Sequence, residues 1–207
     1  GKIYFAPCDA PRVLAVDPET STAELLGPEL PGFCGRYVAP GVLAPDGKVY
    51  FAPYEAPCAL AIDPQASTVE SLGPELPGCA GKYCATGALA PDGKIYFAPD
   101  SAPRALAIDP QTSTAELLGP ELPGFYKYPV AGVPAPNGKI YFAPGTAPRA
   151  LAIDPQTSTA ELPGFYKYPV AGVPAPNGKI YFAPGTAPRA LAIDPQTSTA
   201  ELLGPEL

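Results

Sequence analysis

The stretch Leu89 to Leu117, LAPDGKIYFAPDSAPRALAIDPQTSTAEL, decides how the rest of this 207-residue chain is read. Asp92-Gly93 lies between two apolar runs, and Asp-Gly in that setting is the strongest short hairpin signal, because glycine supplies the positive φ that the turn requires. Pro99 closes the run that begins at Lys94, and Asp109-Pro110 closes the next. Proline has no N–H to give to a ladder, so each one fences a short strand. The aspartate before Pro110 is placed to accept backbone N–H groups two residues on, which makes DPQT a turn.

Outward from this stretch the same text recurs. Copies start at Gly1, Gly47, Gly93, Gly138 and Gly178, which divides residues 1–207 into units 1–46, 47–92, 93–137, 138–177 and 178–207 of a single domain. The fourth copy is short because Glu161-Leu162 runs straight into Pro163-Gly164, without the LGPEL its siblings carry there. In the second copy the strands read as Gly41 to Ala44, Lys48 to Ala52, Ala59 to Ile62 and Thr68 to Leu72. Side chains alternate so that Val49 and Phe51 face one way and Tyr50 and Ala52 the other, with Leu60 and Ile62 opposed to Ala59 and Ala61. Both faces are apolar, so each small sheet is expected to be covered on both sides, with large residues on one face meeting alanines on the next. Four antiparallel strands in each unit of about 45 residues predict an all-β fold, a five-bladed β-propeller.

The motifs LAPDGKIYFAP and LAIDPQTSTAEL resemble blades of the YVTN and NHL-like β-propeller repeat proteins, whose consensus has a PDG turn, a Tyr- and Val-rich second strand and an IDxxT turn. The resemblance implies the propeller fold; YFAP stands where that family has its YVTN tetrapeptide. Because Gly1 opens a second strand and Leu207 follows a fourth, one blade is expected to lack its inner strand. Either the natural chain continues past Leu207 or a neighbouring molecule supplies the strand to the open edge.

Composition narrows the function. A net charge of −7 with only 13 Lys and Arg, evenly spread, excludes a nucleic-acid binder. Proline or a charge interrupts every apolar run before a membrane span is reached. Histidine is absent, which removes Ser-His-Asp and Cys-His arrangements and HExxH zinc sites. No phosphate-cradling glycine motif occurs either, so neither enzymatic activity nor a cofactor is expected. Asp17, Asp63, Asp109, Asp154 and Asp194 would share a rim with Asp46 and Asp92. Calcium there is weighed against each Asp capping its own turn, and capping is preferred.

The opposite rim should carry Arg12, Arg104, Arg149 and Arg189 with the FYKY runs, whose Tyr126, Lys127, Tyr128, Tyr166, Lys167 and Tyr168 offer aromatic faces beside cations. Such a rim suits a sugar or a protein partner, although packing between blades would equally bury the tyrosines. Cys8 and Cys58 are read as lying in second-to-third-strand loops of adjacent blades, and Cys34, Cys79 and Cys84 in the linkers. Cross-blade disulfides are expected, with one thiol left over. The Ala-Pro pairs and QTST turns suit hydroxylation or O-glycosylation of a secreted protein, and an extracellular or cell-surface location is the expectation. The first functional reading is a structural or surface-assembly propeller that partners itself in a filament or coat. The alternative is a propeller that binds glycans or other proteins.

Overall fold

The computed structural model describes residues 1–32, 35–76, 81–163 and 168–206. They form five antiparallel sheets, here called blades 1 to 5. Blade 1 holds β1 (Ile3–Phe5), β2 (Val13–Asp17) and β3 (Thr22–Leu26). Blade 2 holds β4 (Val42–Leu43), β5 (Val49–Phe51), β6 (Ala59–Asp63) and β7 (Thr68–Leu72). Blade 3 holds β8 (Ala88–Leu89), β9 (Ile95–Phe97), β10 (Ala105–Asp109) and β11 (Thr114–Leu118). Blade 4 holds β12 (Val133–Pro134), β13 (Ile140–Phe142), β14 (Arg149–Asp154) and β15 (Ser158–Pro163). Blade 5 holds β16 (Val173–Pro174), β17 (Ile180–Phe182), β18 (Ala190–Asp194) and β19 (Thr199–Leu203). Every sheet is a simple meander in chain order, and blade 1 has three strands where the others have four. This is the five-bladed β-propeller that the repeat predicts, with one blade lacking its inner strand.

The turns form for the reasons their residues suggest. Gly93 takes φ +84°, and its N–H donates to the Ala90 carbonyl at 3.0 Å. Asp92 accepts from the Lys94 N–H at 3.1 Å and from the Tyr96 hydroxyl at 2.7 Å, which ties the second strand to its own turn. Asn137 does the same work in blade 4, accepting from the Lys139 N–H while its amide donates to Tyr141.

The alternation of large and small residues builds the junctions. Ile95, Phe97, Leu106 and Ile108 of blade 3 pack on Tyr50, Ala52, Ala59 and Ala61 of blade 2. Blade 4 presents Ile140, Phe142, Leu151 and Ile153 to Tyr96, Ala98, Ala105 and Ala107 of blade 3, and blade 5 repeats the arrangement on blade 4. One face type therefore always meets the other. Each inner strand approaches its neighbour so closely that only glycine fits ahead of it: a Cβ on Gly87 would lie 2.5 Å from the Phe97 ring.

The pattern stops at the two ends. Ile3 and Phe5 are 50% and 51% exposed, while their counterparts Ile95 and Phe97 are wholly buried. At the other end Tyr181 is half-buried and Ala183 exposed, unlike the fully buried Tyr141 and Ala143. Among the described residues no core cluster joins blade 5 to blade 1.

Candidate functional site

Linkers between blades carry a cation-Tyr pair on the way to the next inner strand, Arg36-Tyr37, Lys82-Tyr83 and Lys127-Tyr128, and Tyr168 holds the tyrosine position ahead of blade 5. The tyrosine points forward. Tyr37 donates its hydroxyl to the Cys58 carbonyl at 2.9 Å, Tyr83 to Arg104 at 2.9 Å, Tyr128 to Arg149 at 3.1 Å and Tyr168 to Arg189 at 3.2 Å. All four rings are buried, and burial pushes the Tyr83 phenol well above its ordinary pKa. The cation points backward into the loop between the second and third strands of the preceding blade. Arg36 donates to the carbonyls of Cys8, Asp9 and Ala10 at 2.9 to 3.4 Å and to those of its own linker, including Gly32. Lys82 donates to Glu55 and Ala56 at 3.2 and 3.3 Å. A buried charge thus finds carbonyl dipoles in place of water.

The third such pair meets a different loop. Asp100 stands where the other units carry Cys8, Tyr54, Gly145 and Gly185, and it is 2% exposed. Its Oδ1 has no hydrogen-bond partner, and burial raises its carboxyl, opposed by the Cys84 thiol that hydrogen-bonds to it and by Lys127. Burial also lowers Lys127, whose ammonium donates to the Gly124 carbonyl at 2.8 Å, while Asp100 raises it. Cys84 is pushed up to about 12, by burial first and Asp100 second. Tyr54 borders the same group, and a Cβ on Gly81 would touch Ser101 Oγ, Asp100 Oδ2 and Tyr54 Oη at 3.0 to 3.8 Å. A buried acid and a buried amine stand here with a half-buried thiol, each biased toward its neutral form.

Beside this cluster lies an apolar pocket of about 330 Å³, lined by Tyr126, Pro129, Gly145, Thr146, Tyr168 and Pro169. Tyr126 is 68% exposed and sits at φ 54°. Its carbonyl accepts from the Thr146 N–H at 2.9 Å. Of the rim residues expected from sequence, the structure gathers Tyr126 and Tyr168 at this pocket and buries Lys127, Tyr128 and Tyr168 between blades. Tyr166 and Lys167 lie outside the described residues. Arg104 and Arg189 pair with Glu121 and Glu206 at 3.6 and 3.2 Å, and Arg149 opens β14 with its side chain exposed. Sequence reasoning did not find the Asp100 cluster. The signal was the departure of one loop position from its siblings.

The expected disulfide between Cys8 and Cys58 is not formed. Cys58 is the counterpart of Arg12, four residues further round its loop than Cys8 is in its own. The Cys8 thiol donates to Asp9 Oδ1 at 3.6 Å, and Cys58 and Cys84 are both thiols. Cys34 and Cys79 lie outside the described residues. On the other rim the aspartates turn inward to their own backbones: Asp63 accepts from the N–H groups of Gln65 and Ala66 at 2.8 and 3.0 Å, which holds its carboxyl below the usual range. Among the described residues no three metal-ligating side chains converge.

No protein-family model and no curated protein sequence matches the chain. Solved structures do match it in shape. The fold is shared. A catalytically inactive virginiamycin B lyase from Staphylococcus aureus, solved with quinupristin, superposes with TM-score 0.68 at 17% identity over 98% of this chain and 66% of that one. A streptogramin B lyase gives 0.65 at 16% identity over 98% and 65%, and the hydrazine synthase of Kuenenia stuttgartiensis gives 0.60 at 14% over 98% and 62%. The chain therefore spans just under two thirds of the length of these propellers. They also correct one expectation: lyases are built on this architecture, so the lack of histidine removes histidine chemistry and does not remove enzymatic activity as a class.

Proposed function

We propose that this chain is an assembly module, joining further blades of its own kind through the two faces left open at its ends. One observation carries the reading: the exposed face of blade 1, with Ile3 and Phe5, and the exposed face of blade 5, with Tyr181 and Ala183, are the two halves of a junction the molecule already makes between its other blades. An interface between unlike faces runs head to tail, and it closes into a ring or grows into a fibre. The PDG and IDP turns support a place among YVTN- and NHL-like propellers, and a surface coat or filament outside the cell is the setting this reading favours. Light scattering after gel filtration tests it, together with electron microscopy. Concentration-dependent oligomers that Phe5→Asp abolishes support the reading, and a monomer at every concentration refutes it.

A second reading rests on the Tyr126 pocket. An exposed ring beside two prolines offers a stacking surface to a sugar or to an aromatic side chain of a partner. Glycan-array binding lost in Tyr126→Ala, with the fold unchanged, supports it.

A further inference from the structure

We propose that Asn137 is a site of spontaneous deamidation, and that its conversion to aspartate unlatches blade 4 from blade 5 at this rim. The inference goes beyond the assembly reading and does not rest on it.

Asn137 sits in the turn that leads into β13, and its side chain serves two blades. Its Oδ1 accepts from the Lys139 N–H at 3.1 Å, while its Nδ2 donates to the Tyr141 hydroxyl at 2.9 Å and to the Pro195 carbonyl of blade 5 at 2.7 Å. Those partners fix which end of the amide is which, because a carbonyl only accepts and a backbone N–H only donates. The bond to Pro195 ties this turn to the one between β18 and β19.

The residue that follows makes Asn137 reactive. Gly138 has no side chain to shield its nitrogen, takes φ +81° and has open space where a Cβ would sit, and Asn137 itself is exposed. When the Gly138 nitrogen attacks Cγ of Asn137, that N–C bond forms and the Cγ–Nδ2 bond breaks. Ammonia leaves with the proton from the glycine nitrogen, and a five-membered succinimide remains. Water then opens the ring: at Cγ it gives aspartate in the ordinary backbone, and at the Asn137 backbone carbonyl it gives isoaspartate. The bond from the Gly138 N–H to the Ala135 carbonyl, at 3.0 Å, must open first. In an exposed turn such opening costs little.

Sibling blades show how an aspartate rests in this turn. Asp46 and Asp92 accept from the N–H groups of Lys48 and Lys94 at 3.1 Å and from the hydroxyls of Tyr50 and Tyr96 at 2.7 Å. An aspartate at 137 therefore needs no rebuilt turn, since the Tyr141 hydroxyl only changes from acceptor to donor. The Pro195 carbonyl has no such remedy. An ionised carboxylate has no proton to offer it, and two oxygens are left facing each other. Where Asp92 stands, it shares the lining of a cavity of about 270 Å³ with Pro155, the counterpart of Pro195.

The chain has two asparagines, Asn137 and Asn177, each inside the sequence YPVAGVPAPNGK. The test therefore uses the full chain carrying Asn177→Asp, in which any deamidation belongs to Asn137. It is aged folded and, in parallel, unfolded in urea in the same mildly alkaline buffer, and intact mass and isoaspartate labelling are followed. The folded chain should convert no more than roughly ten-fold slower than the unfolded one. The converted fraction, separated by its added negative charge, and the Asn137→Asp variant, which has the ordinary backbone, should both melt about 2 to 12 °C below their parent. A folded chain that keeps Asn137 intact after the unfolded chain has converted overturns the modification. An Asn137→Asp chain that melts within one degree of its parent overturns the unlatching. So does a drop that high salt abolishes, because that drop would be repulsion from Asp92 and Asp154, which line the same cavity.

Discussion

Replacing Tyr83 by phenylalanine isolates one hydroxyl at the centre of the molecule. That hydroxyl crosses from blade 2 to blade 3 and donates to the Arg104 carbonyl at 2.9 Å, from a ring with no exposed surface. Phenylalanine keeps the ring and its packing, so the change removes the bond and leaves a part-buried carbonyl short of that donor. A hydrogen bond lost in this way costs about 1 to 3 kcal/mol. For a chain of this size each kcal/mol moves the melting temperature by about 2 to 4 °C, so Tyr83→Phe should melt about 2 to 12 °C below the parent. Calorimetry reads the shift, and near-ultraviolet circular dichroism checks that the aromatic packing is retained. Tyr128→Phe breaks the equivalent bond at the next junction, and because the two rings lie in different core clusters their costs should add within about 0.5 kcal/mol. A Tyr83→Phe protein that melts within one degree of the parent would show that the hydroxyl bridge contributes nothing and that apolar burial alone joins the blades.

Three further outcomes are expected. Gly87→Ala should destabilise by about 1 to 3 kcal/mol in urea, because its methyl meets the Phe97 ring, whereas Gly93→Ala, at φ +84° with open space around it, should cost only the conformational penalty of about 1 to 2 kcal/mol. Burial raises the Asp100 carboxyl, so between the ordinary carboxylate value and the raised one the folded chain keeps a proton that the unfolded chain has released; stability should fall as pH rises through that window, and Asp100→Asn should flatten the fall. Cys84, pushed up to about 12, has almost no thiolate at pH 8, and mass spectrometry should find it alkylated by iodoacetamide roughly a hundred-fold or more slower than free cysteine.

The repeat and its strands were legible because their signals are local. Asp-Gly and Asp-Pro mark turns within two residues of themselves, and the third and fourth strands of blade 2 begin where the sequence places them, at Ala59 and Thr68. The opposition of Leu60 and Ile62 to Ala59 and Ala61 likewise foretold which faces would meet. The rim was harder to read, because the groups that decide it come from different blades. Lys127 and Tyr128 look like a solvent-facing pair until the carbonyls they serve are in place, 21 residues ahead for the tyrosine. Asp100 resembles any loop aspartate; its burial follows from the Lys127 linker folding over it. Cysteine pairing was not legible, because Cys8 and Cys58 share a type of loop but not a place in it.

The sameness of the junctions bears on how this chain reaches its native order. A blade presents nearly the same surface whichever sibling it meets, so contact chemistry alone does not tell a first neighbour from a second. What ranks them is tether length, since a short connection raises the local concentration of the adjacent unit far above that of distant ones. The fourth unit, five residues shorter than its siblings in the linker, holds that leash tightest. In concentrated refolding mixtures the advantage of the leash shrinks, and blades should trade places between molecules.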